Sequence, residues 1–133
     1  MESCNQEFQR LILSATSARM RAYAPYSGFL VGAAILTKHG QIIEGCNVEN
    51  ASYGLSICAE RGVVATAIAG GLREWQAIAV ASVGAVTPCG ACRQVLAEFG
   101  GDLDVLLVDT DSGLLKRQFK IAELLPDAFA LNP

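Results

Sequence analysis

Apolar positions along this chain follow two rhythms. Phe8, Leu11, Ile12, Ala15, Ala18 and Ala22 recur at three- and four-residue intervals. That spacing predicts an amphipathic helix ending ahead of Pro25, because the residue before a proline disfavours helix. Residues 29–37, "FLVGAAILT", and 41–48, "QIIEGCNV", are apolar, strand-forming runs around the turn "KHG", and together predict a hairpin. The polar, glycine-containing "ENASYGLS" predicts a loop. "ICAERGVVATAIAGG" then predicts a buried, alanine-rich helix stopped at Gly70 and Gly71, with Gly62 costing it about 1 kcal/mol relative to alanine.

Further on, "QAIAVASV" predicts a buried strand, "GACRQVLAEFG" a short helix ending at Gly100, and "DVLLVD" another strand. "LLKRQFKI" predicts a weaker amphipathic strand, and "IAELL" one or two helical turns stopped by Pro126. The order is α-β-β-α-β-α-β-β-α. Apolar strands alternating with helices imply crossover packing. The expected fold class is α/β: one domain over residues 1–133, a three-layer α-β-α sandwich on a mixed sheet of about five strands. There is no repeat, low-complexity stretch or linker.

Composition narrows the functional classes. The 133 residues are 52% hydrophobic and 17% charged, which is incompatible with disorder and points to some surface being covered between subunits. Net charge is −3 and pI about 5.0. "RMR" and "KRQFK" are too short for a phosphate-backbone footprint, so no nucleic acid partner is expected. A small molecule without a phosphate fits better. No apolar run is long enough to span a bilayer, and the polar "MESCNQEFQR" does not read as a signal peptide, so the cytoplasm is expected, with no membrane partner. Five cysteines cannot all pair, and in a reducing compartment they favour metal binding or catalysis.

Cys89 and Cys92 form a C-x-x-C after Pro88, and Cys58 opens the preceding helix. Both groups sit where helices begin, and a helix N-terminus stabilises a thiolate by a few tenths to about 1 kcal/mol. If the two helices pack side by side on one sheet face, three thiolates converge on one ion. Three soft anionic ligands suit Zn²⁺, and an open fourth position makes the ion catalytic rather than structural. His39, in the hairpin turn, and Cys4 are poor fourth ligands; Cys46, in a neighbouring strand, is the better one and keeps a structural zinc module open as an alternative. A thioredoxin-like redox pair would leave Cys58 unexplained. Glu60, two residues after Cys58, alone reads as an acid favouring a helix start. With the downstream P-C-x-x-C it reads as a carboxylate that relays protons from a metal-activated water. Arg61 and Arg93 follow Glu60 and Cys92 and would donate to thiolate sulfur, withdrawing charge from the metal site.

C-A-E-R followed by P-C-G-A-C-R-Q resembles the zinc-dependent deaminases. "YAPYSGFLVGAAI", "GCNVENASYGLSICAER", "PCGACRQVL" and "ELLPDAF" together resemble the small homotetrameric cytidine deaminases of pyrimidine salvage, over about Tyr23 to Phe129. The resemblance implies a cytidine deaminase-like fold and hydrolytic deamination of cytidine and deoxycytidine. It implies one Zn²⁺ per subunit on Cys58, Cys89 and Cys92, with Glu60 as proton shuttle. It further implies Phe29 against the pyrimidine, Asn47 and Glu49 on the sugar hydroxyls, and Ala59 beside the metal, its carbonyl accepting from the substrate amine. Tyr53 and Phe129 would complete sites at subunit contacts, and Gln94 would stand with Arg61 and Arg93 around the metal site. A deaminase of another amino-pyrimidine, such as a blasticidin-type substrate, is the neighbouring alternative. The connection before Pro88 and the tail after Phe129 are shorter than this resemblance suggests, which bears on the pocket rim and subunit contacts.

Overall fold

The computed structural model describes residues 4–131; the side chain of Cys4 lies outside what is described. The elements are α1 (Cys4–Arg19), β1 (Gly32–Thr37), β2 (Ile42–Cys46), a short 3₁₀ turn (Tyr53–Leu55), α2 (Ala59–Ala69), β3 (Trp75–Ser82), α3 (Gly90–Ala97), β4 (Asp104–Asp109), β5 (Leu114–Lys120) and α4 (Ile121–Leu124). The five strands form one mixed sheet in the order β2-β1-β3-β4-β5. The expected fold class and element order hold throughout.

Alternation along the central strands builds the layers, since successive side chains point to opposite faces. Ala33 and Ile35 of β1, Ile78 and Val80 of β3, and Val105 and Leu107 of β4 form one face, packed under Val63 and Ala67 of α2 and Leu96 of α3. Ala34, Leu36, Ala77, Ala79, Ala81, Leu106 and Val108 form the other, packed under Leu11 and Ala15 of α1. Small residues on that second face let α1 approach closely. At Gly32 the approach is closest: an added Cβ would lie 2.0 Å from the Ala15 carbonyl oxygen.

Topology sets where the helices begin. β1 pairs antiparallel with both β2 and β3, so β2 and β3 run in the same direction. Their carboxyl ends therefore share one edge of the sheet. The chain leaves β2 toward α2 and β3 toward α3 at that edge, and both helices start there on the same face. β3 and β4 are parallel, joined by α3 as a crossover.

Two boundaries differ from the sequence pattern. The first helix ends at Arg19 instead of running toward Pro25. Tyr23 is drawn out to bridge Val48, its N–H donating to the Asn47 carbonyl at 3.0 Å and its carbonyl accepting from the Glu49 N–H at 2.8 Å. The first strand starts at Gly32 and not Phe29, because the Asn47 side chain takes the place of a strand partner. Asn47 Nδ2 donates to the Phe29 carbonyl at 2.9 Å, and its Oδ1 accepts from the Val31 N–H at 2.8 Å.

Candidate active site

Cys58 is the N-cap of α2 and Cys89 the N-cap of α3, each with extended backbone and neither using its side chain as a cap. Their sulfurs are free of local duty and lie beside backbone N–H groups that favour negative charge. Cys92 follows one turn into α3. The Sγ atoms of Cys58, Cys89 and Cys92 all lie within 4.8 Å of one another. A tetrahedral Zn²⁺ with bonds of about 2.3 Å holds its sulfurs roughly 3.8 Å apart, within that bound. Among the described residues no further His, Cys, Asp or Glu joins the group. His39 lies in the hairpin beside Arg73 and Glu74 around a different hollow. Cys46 ends β2 with its carbonyl against Gly62, outside the group. The fourth-ligand alternative thus loses its best candidate.

The charge pattern fits a metal centre. Arg61 Nη2 donates to Cys58 Sγ at 3.8 Å, while its buried Nε has no partner among the described atoms. A hydrogen bond from Cys92, with help from Arg61 and Cys89 and against burial, pulls the Cys58 thiol down to about 5. The Cys92 thiol moves up, through that hydrogen bond with Cys58 and then burial. Such a cluster holds a thiolate ready before any ion arrives, and thiolate is the form that binds metal. Three sulfurs of this kind, with a guanidinium alongside, are placed to hold zinc.

Glu60, in the first turn of α2, is 6% exposed. Burial pushes its carboxyl up to about 7; its own backbone N–H and Arg61 oppose the rise, and the charge on Cys58 adds to it. A cavity of about 230 Å³ opens in front of Cys58, Glu60 and Cys89. Ala59, Phe29, Asn47 and Glu49, all singled out in the sequence, line it as well. So do Ser27, Val31, Val80, Ser82, Val86 and Thr87, which the sequence reading passed over. Val80 and Ser82 belong to the carboxyl end of β3, where sheets of this kind commonly bind ligands. Thr87 stands two residues before Cys89. Ser27 lies within "YAPYSGF", and only folding shows that it reaches Glu49.

Other sequence-chosen residues lie elsewhere. Arg93 spends two of its nitrogens on main-chain carbonyls: Nε donates to Pro88 at 2.8 Å and Nη1 to Leu124 at 2.8 Å. It therefore fastens the loop before Cys89 to the end of α4, because those two part-buried carbonyls need donors. Gln94 is likewise engaged away from the sulfurs, its Nε2 donating to the Phe129 carbonyl at 3.0 Å. Tyr53 and Phe129 are 78% and 69% exposed and do not line this chain's cavity.

A mixed sheet that delivers two helix starts to one edge, with three sulfurs between them and a carboxyl buried beside, defines a protein placed to hold a metal ion at the wall of a cavity. Residues 5–107 match the family described as the cytidine and deoxycytidylate deaminase zinc-binding region. The chain belongs to that family. It is 48% identical over 124 residues to a cytidine deaminase of Halalkalibacterium halodurans, covering 91% of this chain and 92% of that protein. It is 49% identical over 121 residues to a cytidine deaminase of Mycobacterium tuberculosis, covering 90% and 86%. A crystal structure of cytidine deaminase from Burkholderia pseudomallei superposes with a TM-score of 0.85 at 50% identity, covering 90% of this chain and 97% of that one. Among the described residues no helix is long and apolar enough to cross a membrane.

Proposed function

We propose that this chain hydrolyses the exocyclic amine of cytidine and deoxycytidine, giving uridine and deoxyuridine plus ammonia, as a step of pyrimidine salvage in the cytoplasm. The observation that carries the reading is the cluster of three sulfurs at the wall of a cavity that Glu60 also lines. Relatives named cytidine deaminase, at 43–49% identity over at least nine-tenths of this chain, support the substrate.

Cys58, Cys89 and Cys92 would hold Zn²⁺, which would supply the Lewis acidity that makes water a nucleophile near neutral pH. Glu60 moves the protons. It accepts one from the attacking water and delivers it to ring N3 as the water oxygen bonds to C4. It then takes the remaining hydroxyl proton and passes it to the amine nitrogen as the C4–N bond breaks and ammonia leaves. A carboxyl in the first turn of α2, at the wall of the cavity and beside the sulfurs, is placed both to accept a proton and to return it. Ala59 leaves room beside the metal, and its carbonyl accepts from the substrate amine. Phe29 packs on the pyrimidine, while Asn47 and Glu49 hold the sugar. Arg61 offsets the charge of three sulfurs.

Residues 1–133 act in this reading as one catalytic domain with one Zn²⁺. Four copies assemble, and Tyr53 and Phe129 complete the sites of neighbouring subunits. Two aromatic side chains standing largely in solvent, away from their own cavity, support that assignment. The test is ammonia release from cytidine together with zinc content per chain. Zinc-loaded protein that releases no ammonia would refute the reading.

A further inference from the structure

Glu49 is held from one side by the loop that carries Phe29. Its Oε1 accepts from the Tyr26 N–H at 3.0 Å and the Ser27 N–H at 3.2 Å. Its Oε2 accepts from the Ser27 hydroxyl. The same Ser27 Oγ accepts from the Phe29 N–H at 3.0 Å. One hydroxyl thus bridges a carboxylate to the backbone of the aromatic residue two positions on, and Ser27, Phe29 and Glu49 all line the same cavity.

A carboxylate offers about four lone-pair directions. Three are filled here by Tyr26 and Ser27, which leaves one, on Oε2, for a donor from the cavity. These groups are exposed, so water could replace each bond with little effect on folding. Water would not hold the carboxylate in one direction. Fixing direction before a ligand arrives lowers the ordering cost of binding.

We propose that Ser27 is a positioning residue for the sugar end of the cavity: its hydroxyl fixes the orientation of the Glu49 carboxylate and links it to the main chain of Phe29. The proposal rests on the reading of Glu49 as acceptor for a 2′ or 3′ hydroxyl of the sugar. The Ser27 hydroxyl is also the foremost cause holding the Glu49 carboxyl below its ordinary range, against burial and with help from the N–H groups of Ser27 and Tyr26.

The experiment measures kcat and KM of zinc-loaded wild type, Ser27→Ala and Ser27→Thr on cytidine and on 2′,3′-dideoxycytidine, which lacks the 2′ and 3′ hydroxyls of the sugar. For Ser27→Ala, KM for cytidine rises about tenfold, the scale of one hydrogen bond to a charged group, with kcat nearly unchanged. On the dideoxy substrate the same variant stays close to wild type, and Ser27→Thr, which keeps a hydroxyl, recovers most of the loss. Equal losses on both substrates, or no loss on cytidine, overturn the proposal. So does a fall in unfolding midpoint that accounts for the lost activity, because the role would then be structural. Wild-type protein inactive on cytidine defeats the functional reading; active wild type with a substrate-independent Ser27→Ala defect defeats this proposal alone.

Discussion

Replacing Gly45 with alanine would separate the two halves of the site. Gly45 lies in β2 directly beneath α2, and its backbone meets that of Val63, which is fully buried. An added Cβ would stand 2.7 Å from Val63 N, 2.8 Å from its Cβ and 2.9 Å from its Cα. Two of these are main-chain atoms, so no rotamer change relieves the clash. Ordinary contact begins near 3.4 Å, so α2 and β2 must part by about 0.7 Å, taking 2.7 Å from 3.4 Å. If α2 retreats, Cys58 shifts against Cys89 and Cys92, although zinc ligands tolerate only about 0.2 Å. If β2 yields, Asn47 and Glu49 at its end shift against Glu60. Overpacking of this kind costs about 1–3 kcal/mol, and a misplacement approaching 1 Å can cost on the order of 10²-fold in rate. We therefore expect Gly45→Ala to lower the unfolding midpoint by several degrees, weaken zinc retention against a chelator and reduce kcat/KM at least about tenfold. Gly70→Ala is the control, since its φ is −81° and its added Cβ meets neighbours only from 3.4 Å outward. A Gly45→Ala protein matching wild type in midpoint, zinc retention and kcat/KM would refute the packing logic.

Other expectations concern the chemistry more directly. Glu60→Gln should keep zinc and fold but lose at least about 10²-fold in turnover, the scale of general acid–base catalysis; near-normal turnover of the zinc-loaded variant would remove the shuttle role. Cys89→Ser should lower zinc content and activity together, and full zinc occupancy would contradict its place among the ligands. In zinc-free protein, Glu60 stabilises the fold least at high pH. Its folded pKa, about 7, lies above the unfolded 4.5, so its favourable contribution is complete below 4.5 and is lost as pH rises through 7. Glu60→Gln should accordingly gain on wild type between pH 5 and pH 8, by up to about 3 kcal/mol in urea unfolding; no relative gain would show that the carboxyl is not desolvated. One thiol per zinc-free chain should be alkylated by iodoacetamide with a midpoint near pH 5 instead of near 9, moving upward in Arg61→Ala; a midpoint insensitive to Arg61 would remove that contact.

The element order was legible because each apolar run is bounded by glycine, proline or a polar cluster, and the three sulfurs because their spacing places them at helix starts. What escaped the sequence depends on partners distant along the chain. Nothing local says that Tyr23 leaves its helix for Val48, or that the Asn47 side chain replaces a strand beside Phe29 and Val31. Adjacency to Cys92 in the sequence suggests a place for Arg93 near the sulfurs. Its guanidinium direction was decided by a carbonyl at Leu124, on an element formed 31 residues later. Ser27 is illegible for a related reason: a serine in a turn carries no signal until Glu49 is folded against it.

Helix starts contributed by two separate crossovers have an effect on assembly of the chain itself. An ion gripped by Cys58 on one side and by Cys89 and Cys92 on the other closes a ring of polypeptide that contains α2 and β3, the middle strand of the sheet. That ring joins residues about 30 positions apart, so an ion held there would remove freedom from the unfolded chain and favour the state in which α2 and β3 are in place. Metal capture would thus act as a clasp that holds the middle of the sheet and its covering helix together.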